Sequence, residues 1–182
     1  GLLQDITDFA KTHGCGIDST YPGAAGLLTY DGKQYGYPCN LAVVAFWINH
    51  ATFEKYGIPI PKDNWTPEEF EYIGKLFNEK VNKDKQQSRT IFFTGPLNFL
   101  FAEILARSLG TDTYNETMTR STLSDPRFAQ GVNLIYKWTY VDRIIPTAAE
   151  VASINVESGG YGGASFSHFI HGNYGMLVTG RY

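Results

Sequence analysis

The stretch WTPEEFEYIGKLFNEK, residues 65–80, constrains the fold more than any other. Thr66 reads as an N-cap, Pro67 as the first helical residue and Glu69 as the return half of a capping box. Trp65 stands where it can pack on Phe70 as a hydrophobic staple. Phe70, Ile73, Phe77 and Val81 then recur at helical spacing, so one face of this helix must be covered by something apolar. Two runs of strand length flank it, LAVVAFWIN before and TIFFTG after. Each is continuously apolar, as expected of strands buried on both faces. Strands separated by helices predict an α/β protein.

Weaker signals fill in the order. GLLQDITDFAKTHG predicts a short helix with Leu2, Ile6, Phe9 and Ala10 on one face and Gly14 as its stop. A Gly/Pro-rich turn region follows. Asp31-Gly32 between short runs of Leu, Tyr and Thr predicts a β-hairpin. Residues 96–110 read as a helix with Leu100, Phe101, Ile104 and Leu105 on one side. Asp125-Pro126 opens another, with Phe128, Val132, Ile135 and Trp138 inward. Ile144-Ile145-Pro146 ends that unit, and ESGGYGGAS reads as a linker to the closing segment HFIHGNYGMLVTGRY. There a short aromatic helix breaks at Gly-Asn and an apolar strand around Met176–Val178 leads to the last residue. A strand of that kind is normally followed by something that covers it, so the sequence is expected to be a piece of a longer protein. No internal repeat is seen.

Bulk properties narrow the function. A hydrophobic fraction of 43% over 182 residues allows a sizeable core. A net charge of −3 without a Lys/Arg stripe gives no footprint for nucleic acid. No apolar run approaches the ~20 residues that cross a bilayer. No signal segment or initiator Met is present, which in a partial sequence leaves location open. With 12 Tyr, 12 Phe and 3 Trp, aromatics make up 15% of the chain. Tyr and Trp combine a flat apolar face with a polar handle, which suits polar ring-shaped ligands as well as ordinary cores. Trp47 and Trp138 are assigned to core packing.

Signs of chemistry are few. There is no GxSxG, HExxH or GxxxxGK[ST]. GGYGG has no strand leading into it and no Lys after it, so it reads as a linker rather than a phosphate loop. Glu68 and Glu69 are neighbours explained by helix capping. His13 with Cys15, or His168 with His171, fall short of the three or four ligands a zinc site needs, and no cofactor is implied. Cys15 and Cys39 lie beside turn residues and are read either as a bridge in an exported protein or as two thiols. Asn64-Trp65-Thr66 and Asn115-Glu116-Thr117 match a glycosylation pattern that matters only in a eukaryotic secretory protein.

In this order, the segments resemble family 1 extracellular solute-binding proteins of bacterial ABC importers, the maltose-binding-protein group. YDGKQYGYP resembles the family's DGK-x-YG-x-P hairpin before its hinge strand. AFWINHATFEKYGIPIPKDNWTPEEF resembles L-x-YNK-x-x-F-x-x-x-G-x-x-x-P-x-TW-x-E, with Ile48-Asn49-His50 where Tyr-Asn-Lys is usual. LARSLG, DPRFAQGVNLIYKW and IIPTAAEV resemble second-lobe helices. FSHFIHGNYGMLVTGRY resembles F-x-x-G-x-x-AM-x-x-x-G-x-W, with Tyr182 where Trp is usual.

The resemblance covers nearly all of this chain but only the middle of a family member. It implies a type II periplasmic-binding-protein fold. Residues 1–42 would be the end of lobe one with its hairpin and hinge strand, 43–174 the second lobe, and 175–182 the return strand. It implies capture of a small polar solute, a mono- or oligosaccharide by the nearest likeness, between two lobes. Delivery to membrane permease subunits would follow, with no catalysis and no nucleic acid. The place would be the periplasm, or the outer surface as an anchored lipoprotein. Asn40, Asn98, Phe99, Arg181 and Tyr182 are the expected ligand-binding residues. The hinge segment lacks an acidic residue that some maltose binders carry. The competing reading is a carbohydrate-active hydrolase, which needs a carboxylate pair with one raised pKa, from Glu103, Glu150 or Glu157. A structural adhesion module is the third. The solute-binding reading requires 43–49, 90–94 and 176–178 to share one sheet with helices on both faces.

Overall fold

The computed structural model describes residues 2–37, 39, 43–84, 89–95, 99–155 and 163–180, without the side chains of 99–100, 154–155 and 163–165. The chain divides into two units, a larger one of Val44–Thr179 and a smaller one that takes the chain up to Val43 together with its end from Gly180.

The smaller unit is held by one glutamine. Its elements are α1 (Thr7–Thr12), a 3-10 turn at Ile17–Ser19, α2 (Pro22–Leu28), and strands β1 (Thr29–Tyr30) and β2 (Lys33–Gln34). The strands pair antiparallel across Asp31-Gly32, whose φ angles of 49° and 69° are the positive pair that a tight hairpin needs. Gln34 is buried, and its amide nitrogen donates to the carbonyls of Cys15 (3.1 Å) and Gly36 (2.9 Å). Its backbone N–H donates to Thr7 Oγ1, and its carbonyl accepts from Ile6 N–H. Three of these bonds, to Ile6, Thr7 and Cys15, fasten the hairpin to the chain before it.

Two expectations fail in this unit. The first helix begins only at Thr7, and of its expected apolar face only Ala10 is buried; Leu2 and Phe9 are exposed. The Gly/Pro-rich region folds as α2, because Pro22 sits at a helix start, where its missing N–H costs nothing. Cys15 and Cys39 are both free thiols.

The larger unit is built on a three-stranded sheet of order β3-β5-β4, with β3 at Val44–Ile48, β4 at Ile91–Thr94 and β5 at Tyr174–Gly180. The three expected strands therefore share one sheet. β4 and β5 are parallel, pairing Ile91 with Tyr174 and Phe93 with Met176. Between the strands come α3 (His50–Lys55), α4 (Pro67–Asn82), α5 (Phe99–Ser108), α6 (Pro126–Tyr136), α7 (Ala148–Asn155) and α8 (Gly163–Ile170).

Helix α4 forms as the sequence dictates. Thr66 accepts from Glu69 N–H, and the Glu69 carboxylate accepts from Thr66 N–H at 3.0 Å. Trp65 stacks on Phe70 with ring centroids 5.1 Å apart. Phe70, Ile73, Phe77 and Val81 are all buried and meet Phe92 and Phe93 of β4. Asp125 caps α6 by accepting from Arg127 N–H. Along α6, Phe128 and Trp138 are buried as expected, whereas Val132 is exposed. The helix continues as a π-helical turn over Lys137–Val141, in which Trp138 packs against Phe70. Helix α3 went unread in the sequence; it starts because Asn49 caps it, accepting from Thr52 N–H.

Strand β3 also departs from expectation. Val44 and Trp47 are exposed, and among the described residues β3 has a neighbouring strand, β5, on one side only. A continuous apolar run cannot by itself distinguish an edge strand from a central one. Phe46 and Ile48 still turn toward the core, and Phe46 stacks on Phe93 at 5.6 Å. Trp47 is thus not a core residue.

A charge network locks the helices. The Glu71 carboxylate accepts from Trp138 Nε1 (3.0 Å) and pairs with Lys75 (2.5 Å) and Lys137 (2.6 Å); both lysines also reach Asp142. Burial pushes the Glu71 carboxyl up, but hydrogen bonds from Lys137, Lys75 and Trp138 outweigh it and hold the value at about 2. Because this lies below the ordinary 4.5, the stabilisation is complete above pH 4.5 and is lost as pH falls through about 2. Glu71→Gln should cost about 2 kcal/mol at neutral pH. It should also flatten the fall in stability between those two pH values, as read by denaturant titration at a series of pH values.

Close approach of backbone to ring sets a second expectation. A Cβ at Gly175 in β5 would lie 2.6 Å from Phe77 Cε2 and 2.9 Å from the Phe92 carbonyl oxygen. The carbonyl belongs to the sheet and cannot retreat, so Gly175→Ala should destabilise by about 1–3 kcal/mol. A lowered urea midpoint with unchanged slope is the expected result.

Candidate functional site

The parallel pairing of β4 and β5 brings their C-terminal ends to the same end of the sheet, with Thr94 paired to Leu177. Gly95, which follows β4, lies against Val178: a Cβ there would be 2.8 Å from the Val178 Cβ. On the other side of β5, Trp47 donates its indole N–H to the Thr179 carbonyl at 3.3 Å. Gly95 and Trp47 therefore flank the same stretch of β5. Helix α5 opens at Phe99.

Among the expected ligand-binding residues, Asn40, Asn98, Arg181 and Tyr182 lie outside the described residues. Phe99 is placed as the first residue of α5, and its side chain lies outside them too. The exposed residue at this end that sequence reasoning missed is Trp47. Strict alternation along β3 was the available signal: with Phe46 and Ile48 inward, Trp47 must point to the other face.

The carboxylates proposed for hydrolysis have other partners. Glu150 pairs with Arg89 at 2.7 Å and accepts from Thr147. The Arg89 hydrogen bond leads the causes that hold its carboxyl at about 2. An acid catalyst needs the opposite shift. Glu103 accepts from the Thr113 hydroxyl, and Glu157 lies outside the described residues. Among the described residues no group of three or more His, Cys, Asp or Glu is arranged to hold a metal ion, and no helix is long and apolar enough to cross a membrane.

Comparison with solved structures finds the same fold in larger proteins. The ABC substrate-binding protein Lmo0181 from Listeria monocytogenes, in complex with cycloalternan, matches with a TM-score of 0.76 at 22% identity, over 99% of this chain and 43% of that one. Maltose-bound MalE3 of T. maritima matches with a TM-score of 0.72 at 14% identity, over 99% and 42%. UgpB from Mycobacterium tuberculosis, in complex with glycerophosphocholine, gives 0.72 at 14%, over 98% and 42%. The chain spans less than half the length of these proteins. A comparison with curated proteins finds no match. The fold is that of the type II periplasmic binding proteins, and the family model for bacterial extracellular solute-binding proteins matches residues 1–180. The chain belongs to the bacterial extracellular solute-binding protein family.

Proposed function

We propose that this chain is the central portion, chiefly the second lobe, of the solute-binding component of an ABC importer, and that its solute is a carbohydrate. The family match over residues 1–180 carries the reading. The sugars bound by Lmo0181 and MalE3 favour a carbohydrate. In this assignment residues 1–42 end the first lobe, 43–174 form the second and 175–182 return toward the hinge. The division of the chain beside Val43 supports the first of these boundaries.

Capture is by closure of two lobes around the solute, which draws contacts from both and excludes water. Asn40, Asn98 and Arg181 would supply hydrogen bonds to hydroxyls, and Phe99 and Tyr182 rings for the C–H faces of the sugar. The loaded protein would deliver its solute to permease subunits in the membrane, outside the cytoplasm, with a lipid anchor as the means of retention there. No chemical step is assigned to it. The ionised, Arg-paired state of Glu150 fits that role and is the wrong state for an acid catalyst.

Calorimetric titration with maltotriose, cycloalternan and glycerophosphocholine tests this. A site shared between lobes loses about half its contacts in one lobe, so this chain should bind sugar with millimolar Kd or weaker. A protein carrying both lobes should bind micromolar or tighter. Micromolar sugar binding by these 182 residues alone would overturn the placement between lobes. Binding of glycerophosphocholine in preference to both sugars would overturn the carbohydrate assignment.

A further inference from the structure

We propose that Cys15 and Cys39 are a dithiol pair that closes into a disulfide, pinning the chain after the hairpin to the end of α1. This pairing rests on the location outside the cytoplasm proposed above, where thiols meet disulfide oxidants, and not on the carbohydrate assignment. The fold already ties the two stretches of chain together. Cys15 is fixed at its backbone, donating its N–H to the Ala10 carbonyl at 2.9 Å and accepting from the Gln34 amide nitrogen at 3.1 Å. That same nitrogen donates to the Gly36 carbonyl at 2.9 Å, so the two carbonyl oxygens lie within about 6 Å of each other. Tyr35, next to Gly36, is fastened in turn through its N–H to the Leu28 carbonyl.

Cys39 follows Gly36 by three residues, a reach of about 10 Å at full extension. In an open chain the whole stretch from 15 to 39 has to close on itself; here a three-residue arm remains. So short an arm keeps its thiol at a high effective concentration beside the other. Both are free thiols, Cys39 exposed and Cys15 half-buried. The exposed Cys39 thiolate attacks a sulfur of a small disulfide such as oxidised glutathione, forming a mixed disulfide and releasing one glutathione thiol. The Cys15 thiolate then displaces the second. Two protein thiols are oxidised, one glutathione disulfide is reduced, and the two protons leave on the glutathione. Cys39 stands four residues before Val43, where the first stretch of the smaller unit ends, so the closed bridge ties down most of the chain leading to that boundary.

Equilibration of the full 182-residue chain with reduced and oxidised glutathione, then acid quenching and mass spectrometry, tests this. The bridged form is lighter than the dithiol by two hydrogens and yields a peptide cross-linked between Cys15 and Cys39. The effective concentration of the pair should be at least about tenfold higher in native buffer than in concentrated urea, where only the open chain brings the thiols together. Cys15→Ser and Cys39→Ser should each leave a mixed disulfide with glutathione and no bridge. An effective concentration in native buffer equal to or below that in urea would show that the fold holds the thiols apart. Mixed disulfides or protein dimers in place of the bridge would show the same. Either result overturns the pairing and leaves the sugar titration, which reads the carbohydrate assignment, untouched.

Discussion

The larger unit depends on the contacts of one ring. Phe70 lies 5.1 Å from Trp65, 5.0 Å from Phe92, 5.2 Å from Phe93 and 4.9 Å from Trp138, measured between centroids. Those partners belong to the segment before α4, to β4, and to the π-helical turn. A single side chain therefore fixes the entry of the helix, its seat on the sheet and the approach of the chain from α6. Dense aromatic packing of this kind leaves little tolerance for volume change. Glu71, the next residue, secures the same meeting point from the polar side by accepting from the Trp138 indole. Burial and hydrogen bonding thus act on one junction from adjacent positions of one helix.

Much of this was legible because the signals were local. A capping box, a staple and a 3.6-residue stripe specify α4 without help from the rest of the chain, and Asp-Gly specifies the hairpin. What was not legible depended on partners distant in sequence. LAVVAFWIN reads as central because all its residues are apolar, yet among the described residues β3 has a strand on one side only, which nothing within its residues encodes. Val132 keeps helical phase with Phe128 in sequence, but the face it occupies is left exposed. In the Gly/Pro-rich region, composition hid a helix that a proline at its first position permits. For the site, the likeness of motifs led to five residues, none with a described side chain. The exposed Trp47 was passed over because tryptophan in an apolar run looks like core.

Several charged and polar side chains of the larger unit brace its structure. Glu71, Asp142, Lys75 and Lys137 satisfy one another. Arg89 braces Glu150 and the backbone carbonyls of Arg143 and Ile145. Asn82 bridges to Thr90 by donating to its carbonyl and accepting from its N–H. Carboxylates held in their charged form by such partners are poor proton donors.

The π-helical turn at Lys137–Val141 has a consequence for how the family's sequences vary. Such a turn amounts to one extra residue in an α-helix, and everything beyond it is rotated by about 100° relative to an uninterrupted helix. Here Asp142 N–H reaches back to the Lys137 carbonyl, the five-residue span of the wider turn. An alignment gap of a single residue at this place in a relative would therefore be a change of helical phase rather than of loop length.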